Sequence, residues 1–259
     1  MEQQPPGADR AEAVGSLLHH HDRSQLLFQL SEIVGRRSYL QHGIDVGEGD
    51  VVLDVGANVG VSAVFFAAEC GAAVVHSFEP VRPIYDLLRR NVRPFPSCTP
   101  HAYGLSSSSR QASITYYPGA DAMSGLHANP DRDREMVRLA LVNRGLTEEE
   151  ADSALEGRHD DPLEMSCELR TLSSVLREEA IAQVDLLKID VERAELEVIE
   201  GVGETDWPRI RQLAVEVHDE DGRCAAIAGA LADRGFTVTT DQDPTMRRTD
   251  VRMLYAARA

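Results

Sequence analysis

The feature that most constrains the fold is the stretch VVLDVGANVG at residues 51–60, followed by VVHSFEP at residues 74–80. The two stretches predict a buried strand, a tight turn with glycines, a helix, and a second strand that ends in an acid. Glycines allow the backbone to approach a ligand closely, and an acid about 20 residues further on can bind a ribose. Glu79 follows Asp54 by 25 residues, which is close to this expected separation between the turn and the ribose-binding acid. The pattern indicates the first half of a nucleotide-binding α/β unit.

Beyond this unit, apolar strands alternate with helical segments, which predicts an α/β, Rossmann-like fold with a mostly parallel twisted sheet and helices on both faces. No helix separates the last two predicted strands, so we expect an antiparallel edge strand. The predicted strands are residues 51–55, 73–78, 99–105, 111–117, 184–189, 211–217, 236–240 and 251–257, and the predicted helices are residues 59–70, 83–91, 192–200 and 225–234.

Two further segments accompany the sheet. Residues 1–45 predict a polar tail, disordered over its first ten residues, and then amphipathic helices that pack on a main domain of residues 46–259. Residues 118–168 are charged and loop-rich, with a capping box at Thr147 and Glu150 that predicts a short helix. We find no strand pattern between residues 118 and 166. Such an insertion is typical of a helical lid or substrate cap, although a surface excursion without function is the alternative.

The composition of the chain limits the kinds of partner that we expect it to bind. The net charge of −17 argues against nucleic acid and against anionic membrane surfaces, since both attract clustered Lys and Arg. The four cysteines form no CxxC pair, which argues against zinc and against a redox motif. No apolar run approaches 18 residues, and the polar N-terminus does not resemble a signal peptide. We therefore expect a cytoplasmic protein with a small-molecule partner, and a homo-oligomer remains open.

Several motifs, in order along the chain, resemble those of the FkbM-type methyltransferases, which use S-adenosylmethionine. The resemblance covers about residues 31–236 and implies a class I methyltransferase fold. The segment before the first predicted strand, RRSYLQHGIDVGEGD at residues 36–50, is similar to the corresponding segment of family members that O-methylate polyketide or peptide natural products. Two departures lie near the expected acceptor side: Arg193 replaces the glycine of the family pattern KIDVEG, and Ser173 replaces the aspartate of TLD. The motifs are DVGANVG (54–60), SFEP (77–80), RTLSSVL (170–176), DLLKIDVERAELEVIEGV (185–202) and AVEVH (214–218).

The turn favours a cofactor without phosphate. It reads GANVG instead of the GxGxxG that places a pyrophosphate at a helix N-terminus, and Asn58 tolerates the left-handed backbone that a middle glycine would adopt. A carboxylate at Glu79 suits the two ribose hydroxyls. By resemblance, Asp54 helps to order the turn and the methionine ammonium, and residues 104–107 lie near the adenine. The predicted cofactor-binding residues are Asp54, Gly56, Asn58, Gly60, Glu79, Pro80, Gly104 and Ser106.

The predicted catalytic residues are Asp190, Lys188 and His218, all near the same sheet edge. A lysine in an apolar strand needs a carboxylate partner, which Asp190 or Glu216 could supply, so a purely structural ion pair is an alternative. An imidazole at His218 is suited to take the proton of an attacking hydroxyl. His218 could equally be a hydrogen-bonded structural residue. Alternatively, Asp190, Glu216 and His218 could hold one Mg²⁺ that orients the acceptor.

The leading hypothesis is an S-adenosylmethionine-dependent O-methyltransferase. Its acceptor would be a hydroxyl of a small or medium molecule such as a polyketide, peptide or sugar. An NAD-dependent oxidoreductase is the main alternative, because it also uses a glycine turn and a ribose acid, although the third glycine of its fingerprint is missing here. A non-catalytic binding module is a third alternative, supported only by Arg193 and Ser173.

Overall fold

The computed structural model describes residues 11, 14–16, 18–158 and 160–258, so the predicted disordered tail lies outside the described residues. Ten strands occur in that part of the chain. They are β1 (Val51–Val55), β2 (Val74–Phe78), β3 (Cys98–His101), β4 (Gly104–Leu105), β5 (Arg110–Tyr116), β6 (Leu163–Arg170), β7 (Leu186–Ile189), β8 (Gln212–His218), β9 (Thr237–Asp241) and β10 (Val251–Ala257).

Seven of these strands form one sheet with the order β3-β2-β1-β7-β8-β10-β9. The first five strands in this order, β3, β2, β1, β7 and β8, pair in parallel. Strand β10 runs antiparallel to both β8 and β9. The predicted mostly parallel sheet with an antiparallel edge is confirmed.

The helices cover both faces of this sheet. Helix α1 (Arg23–Gln29) continues as a π-helical turn at Leu30–Gly35, and helix α2 (Val61–Val64) continues as one at Phe65–Glu69. No helix in the described part of the chain is both long and apolar enough to span a lipid bilayer. The α-helices used below are α1 (Arg23–Gln29), α2 (Val61–Val64), α3 (Arg82–Val92), α4 (Pro130–Asn143), α5 (Glu148–Leu155), α6 (Leu172–Glu178), α7 (Glu195–Glu200) and α8 (Arg223–Ala232).

The apolar strands separate two hydrophobic clusters, one on each face of the sheet. Neighbouring residues of β1 point to opposite faces, so Val52 lies in one cluster and Leu53 in the other. The first cluster includes Leu26 and Leu30 of the N-terminal helical segment, which therefore packs on the main sheet. The second cluster is built around Trp207 and side chains of α6 and α8. Burial on both faces explains why the central strands read as continuous apolar runs.

A second, three-stranded sheet has the order β4-β6-β5. The prediction of no strand between residues 118 and 166 is wrong, because β6 begins at Leu163 and pairs antiparallel with β5. The first residues of β6 are mostly exposed, so they lack the apolar alternation that marks a strand. The single strand predicted at residues 99–105 is also wrong. It divides into β3 of the large sheet and β4 of the small one.

Residues 117–162 connect β5 to β6 and carry α4 and α5; we call this segment the cap. Helix α5 begins with the predicted capping box, in which Thr147 and Glu150 bond each other reciprocally. The start of the cap is joined to the N-terminal helical segment. Gln25 donates through Nε2 to the Gly119 carbonyl at 3.1 Å and accepts from the Ala122 amide at 3.2 Å. The N-terminal helix and the cap therefore lie together over one edge of the sheet.

Candidate functional site

A cavity of about 860 Å³ lies at the edge of the large sheet where β1, β2, β7 and β8 end. Ligands of open α/β sheets bind at this edge, outside the carboxyl ends of the strands. One end of the cavity is formed by the turn after β1 and the acid after β2. The other end is formed by the residues that follow β7 and by Glu216 of β8. Helix α1, its π-helical continuation and the cap helix α4 supply a largely apolar wall that includes Phe28, Ile33, Met136 and Leu141.

The turn after β1 contributes Gly56, Ala57 and Asn58 to the lining of the cavity. Gly56 has a φ of +75°, and a Cβ atom there would lie 1.7 Å from the Asp190 carbonyl oxygen. Asn58 has a φ of +48° and lines the cavity, as predicted from its tolerance of the left-handed backbone. Gly60 is outside the cavity lining. Its φ is +95°, and a Cβ there would lie 2.8 Å from Leu88 Cδ1, so this glycine allows α3 to pack closely.

Glu79 stands at the end of β2 with its carboxyl facing the cavity. It is buried, and its Oε1 accepts a hydrogen bond from the Val81 amide at 2.8 Å. Burial raises the pKa of this carboxyl to about 7, although the backbone amides of Val81 and Asn58 oppose the shift. Pro80 and Gly104 line the same wall. A buried acid whose hydrogen bonds come from backbone amides fits a ligand that offers hydroxyl donors.

Besides Gly60, two predicted cofactor residues lie outside the lining of the cavity. Asp54 is fully buried behind the turn, where its Oδ2 accepts from Ser62 Oγ at 2.7 Å and its Oδ1 lies 3.1 Å from Lys188 Nζ. Its position is suited to ordering the turn from behind. Ser106 is also buried, and its Oγ donates to Glu197 Oε2 at 2.6 Å. The structure does not support the predicted contact between Ser106 and a cofactor, because the hydroxyl is used on a helix outside the cavity.

Lys188 holds the turn to the central strand β7. Its Nζ donates to the carbonyl oxygens of Gly56 at 2.6 Å and Val55 at 3.2 Å. It pairs with Asp54 at 3.1 Å and with Asp190 at 3.7 Å. Burial alone would lower the pKa of this lysine, but the two carboxylates outweigh burial and raise it. Lys188 therefore stays an ammonium ion, and its predicted partner Asp190 is present together with Asp54, which we did not predict.

Asp190 lines the cavity where β7 ends. Its Oδ2 accepts a hydrogen bond of 2.7 Å from the Tyr39 hydroxyl. Burial, and then the negative charge of Asp190, raise the pKa of Tyr39 well above its usual value, so the phenol remains a donor. Sequence reasoning missed Tyr39. Tyr39 lies in the segment of residues 36–50 that resembles the family, and this was the one indication in the sequence. Its role depends on a contact with Asp190, which is 151 positions away in the chain.

His218 lies behind the cavity wall. Its Nε2 is 3.0 Å from Glu192 Oε2, and its Nδ1 is 3.9 Å from Asp250 Oδ1. Burial lowers the pKa of the imidazole, but the charges of Glu192 and Glu195 outweigh burial and raise it to about 10. A charged imidazole cannot accept a proton, and Glu192 rather than His218 lines the cavity. This geometry favours the structural alternative for His218, and its role as the base stays a prediction.

The magnesium alternative receives no support from the structure. Within the described ranges, no group of three or more His, Cys, Asp or Glu side chains is placed to hold a metal ion. The side chains of two predicted ligands point toward partners in the protein and not toward a common point. His218 faces Glu192 and Asp250, and Asp190 faces Tyr39 and Lys188.

Arg193 adopts the left-handed backbone that favours glycine, with a φ of +77°. Its guanidinium is buried, with Nη1 at 2.6 Å from Asp133 Oδ1 and Nε at 3.0 Å from Glu220 Oε1. Asp133 is a fully buried residue of the cap helix α4. The replacement of the family glycine therefore joins the loop after β7 to the cap. Ser173, the second departure, accepts a hydrogen bond of 2.7 Å from the Gly203 amide and lies outside the cavity lining.

The sheet order, the glycine turn after β1 and the acid after β2 form a Rossmann-like fold of the kind expected for a class I methyltransferase. The chain belongs to the FkbM methyltransferase family. The family model described as the Methyltransferase FkbM domain matches residues 54–238. Membership of this family speaks against the NAD-dependent oxidoreductase and against a binding module without methyltransferase activity.

Similar proteins agree with this assignment. The 31-O-demethyl-FK506 methyltransferase FkbM of Streptomyces tacrolimicus is 38% identical over 245 residues, which is 94% of each chain. Methyltransferase sdnD of Sordaria araneosa is 30% identical over 226 residues, or 82% of this chain and 84% of that one. The crystal structure of a methyltransferase FkbM from Methylobacillus flagellatus KT has a TM-score of 0.52 and 12% identity. It covers 97% of this chain and 61% of that chain, and shares the fold.

Proposed function

We propose that the protein is an S-adenosylmethionine-dependent O-methyltransferase acting on a hydroxyl of a small or medium natural-product-like acceptor. The observation that carries the proposal is a single cavity with a nucleoside-type end at Glu79 and an acidic end at Asp190, Glu192 and Glu216. The similarity to a 31-O-demethyl-FK506 methyltransferase over 94% of each chain supports a hydroxyl of a natural product as the acceptor.

The cofactor end fits S-adenosylmethionine in its shape and its hydrogen-bonding groups. Gly56 and Asn58 bring backbone close to the cavity, where the methionine part would lie. The Glu79 carboxyl would accept hydrogen bonds from the two ribose hydroxyls, and these bonds favour its charged form. Asp54 and Lys188 hold the turn from behind through their ion pair of 3.1 Å. The region contains no extended glycine cradle of the GxGxxG type for a pyrophosphate.

S-adenosylmethionine, when bound, supplies an electrophilic methyl group. The residues of this chain then have to orient an acceptor hydroxyl, remove its proton and exclude water. Alignment of reacting groups can supply roughly 7–11 kcal/mol of the barrier, and a well-placed base about 10²–10⁴-fold in rate. The apolar wall formed by α1 and the cap helix α4 suits an acceptor with a substantial apolar surface.

Binding of the demethylated product, S-adenosylhomocysteine, tests the cofactor end directly by calorimetry. We expect Glu79→Gln to weaken binding about 10- to 100-fold, because hydrogen bonds to a charged group are each worth about 1.5–3 kcal/mol. Glu48→Gln, in an exposed loop, is the matched control and should bind like the wild type. Equal affinity of the wild type and Glu79→Gln would contradict the ribose role.

Methyl transfer is tested with 31-O-demethyl-FK506 as the probe acceptor, by mass spectrometry after incubation with S-adenosylmethionine. We expect one added methyl group, located on an oxygen by nuclear magnetic resonance. A methyl group found on nitrogen or carbon would contradict O-methylation. Absence of any affinity for S-adenosylmethionine and S-adenosylhomocysteine would contradict the proposal as a whole.

A further inference from the structure

Resting on the proposed O-methyltransferase function, we propose that Glu216 is the general base that takes the proton of the acceptor hydroxyl. Glu216 lies in β8, opposite Met253 of β10, and its side chain lines the acidic end of the cavity. In the part of the chain that the structure describes, its carboxyl has no hydrogen bond and no ion pair. The carboxyl is therefore free to bond an incoming ligand.

The neighbouring carboxylates are already bonded. Asp190 accepts a hydrogen bond from Tyr39 at 2.7 Å and lies 3.7 Å from the Lys188 ammonium. Glu192 lies 3.0 Å from His218, which is held in the charged state. Burial is the largest cause that raises the pKa of Glu192, and the charge of His218 opposes that rise. Both neighbours are thus paired with groups of the protein, whereas the Glu216 carboxyl is available to an acceptor hydroxyl.

The surroundings also increase the basicity of Glu216. Burial is the largest cause, and the charges of Asp190 and Glu192 then raise the pKa of Glu216 well above its usual value. His218 and Lys188 oppose this shift but do not overcome it. The other titratable groups that interact with Glu216 are the phenols of Tyr39 and Tyr255, whose own pKa values are raised, so both remain neutral. A carboxylate whose pKa is raised accepts a proton more readily and is a better general base.

The step balances as a displacement at carbon. The bond between the methyl carbon and sulfur breaks with its electron pair on sulfur, a bond forms from that carbon to the acceptor oxygen, and the hydroxyl proton passes to a Glu216 carboxylate oxygen. Solvent then removes the proton from the carboxylic acid. No oxidant, reductant or metal ion is needed.

A cation bound beside a carboxyl with a raised pKa favours its charged form and so promotes the loss of its proton. S-adenosylmethionine carries a sulfonium charge that S-adenosylhomocysteine lacks. An opposite charge within about 4–6 Å lowers a carboxyl pKa by about 1–3 units. In a series of pH values above the usual carboxyl pKa, we therefore expect S-adenosylmethionine to release more protons on binding than S-adenosylhomocysteine does, up to about one proton per molecule bound.

This difference can be measured by calorimetry in two buffers of different ionisation enthalpy. We expect it in the wild type and in the control Glu48→Gln, and we expect Glu216→Gln to abolish it while binding S-adenosylhomocysteine within about threefold of the wild type. Glu216→Asp keeps an ionisable group and should retain part of the proton release. Circular dichroism and the affinity for S-adenosylhomocysteine show whether each variant is folded.

The outcomes separate the two proposals. If neither compound binds the wild type, the O-methyltransferase function fails, and the role of Glu216 fails with it. If both bind but Glu216→Gln releases as many protons as the wild type, only the role of Glu216 is overturned. With 31-O-demethyl-FK506 as the probe acceptor, Glu216→Gln should reduce kcat about 10²–10⁴-fold. An unchanged kcat would also overturn the proposal.

Discussion

The two ends of the cavity are built in different ways. The end that we propose for the cofactor comes mainly from a short part of the chain, between Gly56 and Pro80, where Gly56 leaves no room for a side chain and Glu79 supplies a carboxyl. The acidic end is assembled from residues far apart in sequence, including Tyr39, Asp190 and Glu216. The first end depends on close approach of the backbone, and the second on balanced charges. Substitutions should therefore act by steric overlap at the first end and by loss of charge pairing at the second.

The largest effect is expected at the turn, from Gly56→Ala. The new Cβ would overlap the Asp190 carbonyl oxygen, 1.7 Å away, and this oxygen belongs to the backbone, so no side chain can move aside to relieve the overlap. We expect a loss of at least about 5 kcal/mol in the free energy of unfolding, or no folded protein. Denaturant titration followed by circular dichroism measures this loss.

Gly43→Ala is the matched control, because Gly43 has a φ of +87° but nothing within 4 Å of the position that the new methyl group would take. Its free energy of unfolding should fall by only about 1–2 kcal/mol, because alanine is strained in the left-handed backbone. Similar losses at both glycines would show that strain, not close approach to β7, limits the turn.

The next largest effect is expected from Arg193→Ala, at the residue that follows Glu192 of the acidic end. This change leaves Asp133 of the cap buried without its partner at 2.6 Å, and a broken buried pair costs about 3–5 kcal/mol. Hydrogen exchange should become faster in α4 before it does in β1. Arg193→Gly should be about 1 kcal/mol less destabilised than Arg193→Ala, because glycine accepts the φ of +77°.

Arg82→Ala provides the comparison for a pair of the same chemistry on the surface. Arg82 and Asp86 are both exposed, so their loss should cost less than about 1 kcal/mol. Equal effects of the two arginine substitutions would mean that the cap is not held by its buried ion pair.

The smallest of the three effects is the pH dependence at Glu79. Burial raises the pKa of this carboxyl from 4.5 to about 7 in the folded chain. The folded state holds the proton more tightly than the unfolded state, so the contribution to stability is fully present below pH 4.5 and is lost as pH rises through about 7. The loss amounts to about 3 kcal/mol. The difference in unfolding free energy between the wild type and Glu79→Gln, measured without cofactor from pH 4.5 to 8, should fall by this amount. A difference that does not change with pH would show that Glu79 titrates normally.

Sequence patterns predicted much of the fold for a simple physical reason. Strands buried on both faces read as apolar runs, and glycine turns and acids recur at fixed spacings, so β1, β2, β7 and β8 were visible. Strand β6 was missed at residues 163–166 because its residues are largely exposed and its pairing partner β5 lies about 50 positions earlier in the chain. The division of residues 99–105 between two sheets was missed because pairing partners, not local pattern, decide it.

By itself, the sequence determined the glycine turn, the acid at Glu79, and the apolar strands that bring them together, because these depend on neighbours along the chain. Only the tertiary structure decided that His218 faces Glu192, that Tyr39 bonds Asp190, and that Arg193 joins the cap. Burial and the charge of nearby groups set proton affinity, and both depend on residues that are distant in sequence and adjacent in space.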